Sequence, residues 1–190
     1  DVSRSLPQAS RTLFQFLCAL EDEDRLNWVV QPVWPELWKI VGLDGEAPAL
    51  EPALTAVKSA GLVDLHALGK HVRYLIHPGV SQAGLDEANE KFRLAVDSMM
   101  ATFWIEFFNQ AQIGGAEEKG QMVILAGLRS APYLMRQKMW QESVYLLERV
   151  LYRDRSPETV ASVLPLIRFI AMATRGTDRE LDDSVVLAKA

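Results

Sequence analysis

Apolar positions in the first third of the chain recur at helical spacing and are punctuated by glycine and proline. Leu13, Phe14, Phe16, Leu17 and Leu20 share one stripe behind Ser10, a residue able to cap free backbone amides, so a core-facing helix is predicted over residues 10–20. The run EDEDR at 21–25 reads as an acidic, solvated connection. In QPVWPELWKIVG, Pro35 suits the first turn of a short second helix that carries Trp34, Leu37, Trp38 and Val41 inward and ends at Gly42. LEPALTAVKSAGL sets Leu50, Leu54 and Val57 on one face of a third helix, with Gly61 where a left-handed residue is wanted. The period then shortens: LVDL and HVRYLI are short β-branched and aromatic runs, and the glycine of the intervening HALGK supports a hairpin turn.

From Pro78 onward no strand signal remains. The segment DEANEKFRLAVDSMMATFWIEFFNQAQ carries Phe92, Val96, Met99, Met100, Phe103, Trp104, Phe107 and Phe108 at spacings of one, three and four, a broad buried helical face read as core. A break at IGGAEEKG precedes further helices over roughly 121–137, 140–153 and 157–174. The expected fold class is therefore mainly α. Three helices plus a short β-hairpin, the order of a winged helix, occupy residues 1–88, and an all-helical domain occupies residues 89–190.

Composition narrows the function. With 190 residues, 49% of them apolar and 24% charged, the chain has room for one ordinary domain or two small ones. A net charge of −5 argues against a surface built to hold nucleic acid. The single cysteine, Cys18, sits among Leu17, Ala19 and Leu20 and reads as a small buried hydrophobe. No apolar run approaches the roughly 18 residues of a membrane span, and DVSRSLPQ has no signal pattern, so a cytoplasmic protein without membrane contact is expected. The first residue is Asp1 rather than Met, as in a processed chain or a piece of a longer polypeptide. HExxH, GxSxG and CxxC are missing, the acidic clusters ALEDEDR and GAEEKG read as solvated, and no Gly-rich phosphate loop with Lys and Ser/Thr occurs. By itself the chain is expected to be neither an enzyme nor the holder of a cofactor or metal.

The stretch APYLMRQKMWQESVYLLERVLYRDRSP resembles a tetratricopeptide repeat, in which small residues let paired helices approach. Ala131, Leu134, Trp140, Leu147 and Val150 fall at or near the pattern positions, and Pro157 lies slightly beyond the usual proline. Two positions depart: Ser143 replaces the small alanine, and Lys138 stands at the preceding glycine position. Exposed Tyr133, Arg136, Tyr145 and Arg149 are the expected lining of a partner-binding face.

A winged helix followed by such a repeat resembles the last two parts of STAND-class signalling NTPases, where a nucleotide-binding domain comes first. In the NB-ARC branch of that class a Met-His-Asp motif stands at the strand-to-helix junction of the winged helix, and a variant has proline after the histidine; Ile76, His77 and Pro78 match the variant. The resemblance implies that the His77 ring reaches the β-phosphate of ADP held by an upstream domain of the parent protein, keeping it inactive. It also implies that the repeat helices receive an unidentified activating protein. His66 and His71, in the hairpin region, read as solvated.

Two other readings compete. A winged-helix transcription regulator with a helical dimerisation or ligand domain needs a base-reading helix, and the third helix offers only Lys58, Thr55 and Ser59, with Lys70, His71 and Arg73 on the wing. The second is an interaction module that uses its repeat surface without any nucleotide-binding partner.

Overall fold

The helical and strand periods resolve, in a computed structural model describing residues 3–113 and 117–177, into eight α-helices and one two-stranded antiparallel sheet among those residues. Two units divide at Met99 and Met100, within a helix and C-terminal to the expected 88/89 boundary.

In the first unit, α1 (Gln8–Ala19) buries Leu13, Phe14, Phe16, Leu17 and Cys18. α2 (Asn27–Ile40) starts well before Pro35 and contains both Pro32 and Pro35, which corrects the short helix expected there. Its buried stripe explains why: Val29, Val30, Val33, Trp34, Leu37 and Trp38 follow a 3.6-residue period, and both prolines are exposed on the opposite side. Six such side chains, at roughly 1.5–3 kcal/mol each, outweigh about 3 kcal/mol for each interior proline. α3 (Leu50–Ser59) buries Ala53, Leu54 and Val57.

The hairpin pairs β1 (Asp64–Leu68) with β2 (His71–Leu75), so His66, Ala67 and Leu68 lie in a strand and the turn is only Gly69 and Lys70. Gly69 has φ +60° while Lys70 stays at negative φ, the sign pattern of a two-residue type II′ turn. On the other side of β2, Leu26 forms an antiparallel bridge with Arg73, and the Tyr74 N–H donates to the Arg25 carbonyl at 2.8 Å. The connection from α1 to α2 thus adds a third, one-residue strand to the sheet edge.

That connection is not fully solvated as expected. Asp22 and Glu23 are exposed, but Asp24 and Arg25 are 0% and 6% exposed. Arg25 donates from Nε to the Leu17 carbonyl at 2.8 Å and from Nη2 to the Leu20 carbonyl at 3.2 Å, satisfying carbonyls at the end of α1 that no helical amide reaches. Its Nη1 pairs with Asp22 at 2.7 Å. A buried guanidinium is tolerable because each face has an acceptor.

α4 (Pro78–Glu87) follows β2, and α5 (Glu90–Gln112) begins after Asn89, whose Oδ1 accepts the Phe92 N–H at 2.8 Å. α4 crosses α1 at Gly84, where any Cβ would collide with Cys18 Sγ and the Phe14 ring.

The second unit contains the C-terminal part of α5 with α6 (Glu117–Arg136), α7 (Trp140–Arg153) and α8 (Pro157–Ala173). α6 starts inside the expected break, and the side chains of the GAEEKG acidic cluster lie largely outside the described residues. Ala131, Val144, Leu147, Val150, Leu151, Val163, Ile167 and Ile170 form its core. Gly127 lets α7 approach α6: a Cβ there would strike Val150. α8 begins with a compact cap: Ser156 Oγ accepts the Thr159 N–H at 3.3 Å, while the Asp154 carboxylate accepts from the Ser156 N–H at 2.9 Å and its hydroxyl at 2.8 Å. The Thr159 hydroxyl also donates to Asp154 and, with Ser156, holds that carboxyl below its ordinary range.

Among the described residues no helix is long and apolar enough to cross a membrane.

Candidate functional site

β2 ends at Leu75, Ile76 is buried, and His77 emerges exposed before Pro78 opens α4. A residue preceding proline is pushed out of the helical region, and His77 has φ −61° and ψ 136°, an extended N-cap. Its Nδ1 accepts the Gly79 N–H at 3.2 Å, and its carbonyl accepts from Val80 and Ser81, both at 2.9 Å. A ring nitrogen that accepts carries no proton, so neutral His77 holds its hydrogen on Nε2. Nε2 has no partner among the described residues. The outcome is a donor fixed at a strand-to-helix junction and open to solvent.

The backbone around this donor is anchored from below. Ser81, one turn into α4, accepts from the buried Arg25 Nη2 at 3.0 Å, so Arg25 joins the end of α1 to the first turn of α4 as well as to β2. Beneath α4, burial pushes the Cys18 thiol up to about 12, against the opposing pull of Arg25. Cys18 is a packed hydrophobe.

The other candidate residues separate. Tyr133, expected to be exposed, is completely buried, because the inward arc of α6 also takes in Val123, Ala126, Ser130, Ala131 and Leu134 and is too wide to leave it outside. Arg136 is exposed at the end of α6 and lies over the Tyr133 ring at 4.7 Å. Tyr145 is 49% exposed, with the Arg149 guanidinium 5.3 Å from its ring centroid. Tyr145 also lines an open groove of about 420 Å³ together with Ile105, Asn109, Gln141, Glu142 and Leu146. Of the four residues, the structure brings only Tyr145 and Arg149 together on an exposed surface.

On the hairpin, His66 is exposed, but His71 is half-buried with its ring 6.2 Å from Trp28. Arg73 buries its Nε without a partner. The exposed side of α3 carries Glu51, Pro52, Thr55, Lys58 and Ser59, a single base among neutral and acidic groups. No cluster of three or more His, Cys, Asp or Glu side chains is placed to hold a metal among the described residues.

Lys138, where the repeat resemblance expects glycine, adopts a left-handed backbone. Lys138 has φ +59°, the one positive φ of a non-glycine residue among those described. Its N–H donates to the Met135 carbonyl at 3.0 Å and the Met139 N–H to the Leu134 carbonyl at 2.9 Å, a Schellman end to α6. α2 and α3 end in the same way at Gly42 and Gly61. Ser143, at the small-residue position, is fully buried and donates to the Met139 carbonyl at 2.9 Å.

Comparison with protein-family models, curated proteins and solved structures returns no match.

Proposed function

We propose that this chain is a regulatory module: a winged helix whose His77 donates to the phosphate of a nucleoside diphosphate held by a neighbouring domain, followed by repeat-like helices that receive a protein partner. The carrying observation is the single available donor on the His77 ring. Accepting the Gly79 N–H at Nδ1 leaves Nε2–H as the free donor of an exposed ring, on a backbone that proline and Arg25 hold in place. An N–H donating to a charged phosphate oxygen is among the stronger hydrogen bonds.

The winged-helix reading is supported by the element order and by the Leu26 bridge, which supplies a short strand between the first two helices and pairs it with β2. The repeat reading is supported by the close α6–α7 approach at Gly127, Ala131 and Ser143, and by Lys138 in the left-handed conformation the pattern's glycine favours. Tyr145 and Arg149, beside the groove on α5 and α7, are the partner contacts this reading retains.

ADP bound in the parent protein would hold the winged helix in the inactive arrangement, and ATP would release it by weakening the His77 contact. The DNA-reading alternative is weakened by the single base on α3 and by the burial of His71 and Arg73 Nε. The test is the coding sequence upstream of Asp1. A domain there with a glycine-rich loop ending in Lys and Ser/Thr meets the requirement of the proposal, and an upstream region without one removes it.

A further inference from the structure

Among the described residues β1 pairs only with β2, and the regulatory reading does not use its other edge. β2 fixes which groups that edge presents. Val72 and Tyr74 spend their N–H groups away from β1, on Asn27 Oδ1 at 2.9 Å and the Arg25 carbonyl at 2.8 Å. His71, Arg73 and Leu75 therefore bond to their partners Leu68, His66 and Asp64, and Leu65 and Ala67 turn their N–H and C=O groups to the open side.

All five residues of β1 are exposed, with Leu65 at 40% and Leu68 at 47%. Edge strands that must stay single are blunted by charged side chains, lysine above all, by proline, by a bulge or by being very short, and the one charge on β1 is Asp64. Residues 64–68, DLHAL, contain no lysine or proline, and their pairing runs without a bulge. This edge leaves the outward N–H and C=O groups of Leu65 and Ala67 open to a further strand.

We propose that the strand it accepts is β1 of a second copy of this chain, antiparallel, with Leu65 opposite Leu65. Charge complementarity selects that occupant and that register. Leu65 and its mate exchange both backbone bonds through groups that already face outward. On either side, Asp64 of one copy stands opposite His66 of the other, so the acidic–imidazole pair occurs twice. Directly opposed residues of this kind lie about 4.5–5.5 Å apart. Neither Asp64 nor His66 has a side-chain partner among the described residues. A register centred on His66 sets imidazole against imidazole and Asp64 against Leu68, losing both pairs. The two hairpins would join in a four-stranded sheet, with the exposed Leu65 side chains covering one another.

Sedimentation velocity of the intact chain over a concentration series tests this, with circular dichroism confirming that each variant is folded. The wild type is expected to show a reversible monomer–dimer equilibrium. His66→Asp replaces two favourable cross-strand pairs with two opposed carboxylate pairs and should raise the dimer dissociation constant about tenfold. The exchange Asp64→His with His66→Asp should restore dimerisation. Leu65→Cys should give an interchain disulfide on mild oxidation, more readily than His66→Cys. A wild type that stays monomeric to millimolar concentration overturns the proposal. So does a dimer indifferent to His66→Asp, or preferential cross-linking through position 66.

Discussion

The Gly79 N–H donates to Nδ1 of His77 at 3.2 Å, and this one bond gives the histidine two separable roles. Nδ1 caps α4, and Nε2–H is the donor that the proposed phosphate contact would use. The roles come apart by substitution. His77→Ala removes both and should cost about 0.5–1 kcal/mol of stability, as lost N-caps do. His77→Asp keeps an acceptor for Gly79 and should cost almost nothing, while carrying no donor to point outward. Urea unfolding of both variants checks the difference, and equal losses would mean that the cap is not what the ring supplies to the fold.

Arg25 should be the most sensitive polar residue of the first unit. Its guanidinium serves the Leu17 and Leu20 carbonyls and the Ser81 hydroxyl, all from a position 6% exposed. Arg25→Met leaves those acceptors without their donor and should destabilise the chain by about 3 kcal/mol. Arg25→Lys should recover less than half of that, because one ammonium cannot reproduce the fork. A thermal or urea melt in which Arg25→Met is as stable as the wild type would contradict this description of the junction.

Lys138 occupies a left-handed backbone at φ +59°, where a side chain is strained and glycine is not. Lys138→Gly should raise stability by about 1 kcal/mol, and Lys138→Val should lower it by more than Lys138→Ala does. The comparison by urea unfolding is direct, and a loss of stability in Lys138→Gly would rule out strain there.

Asp154 predicts an acid sensitivity. Hydrogen bonds from Thr159 and Ser156 hold its carboxyl below the ordinary carboxylate value, so its folded-state pKa lies under the unfolded one. The contribution is complete above the ordinary value and disappears as pH falls through the lower, folded value. Asp154→Asn should melt earlier than the wild type at neutral pH, and the gap should close as the pH drops through that window. A gap that stays constant with pH would assign the effect to shape rather than charge.

Much of the fold was legible where a single period dominated. The stripes of α1 and α3 and the glycine ends at Gly42 and Gly61 follow from spacing and backbone freedom, which are local properties. Pro35 misleads as a helix start because the apolar face of α2, not its local propensity, decides where that helix begins. EDEDR looked solvated because composition does not reveal that Arg25 meets the end of α1, a contact settled only by tertiary packing. Tyr133 was misread for a related reason: one helical stripe is narrower than the arc α6 buries. His77 was legible as a junction residue from Pro78 alone, but the direction of its donor required the ring geometry.

The central proposal is that His77 donates to a diphosphate held by a neighbouring domain. The most direct measurement is the rate at which ADP leaves the full-length polypeptide that contains this chain, for the wild type and for His77→Asp, which keeps the cap and carries no donor, with both shown to be equally stable. Loss of one hydrogen bond to a charged oxygen, at roughly 1.5–3 kcal/mol, predicts release about tenfold faster or more in the variant. Release at the same rate from both proteins would contradict the claim and leave His77 as a helix cap.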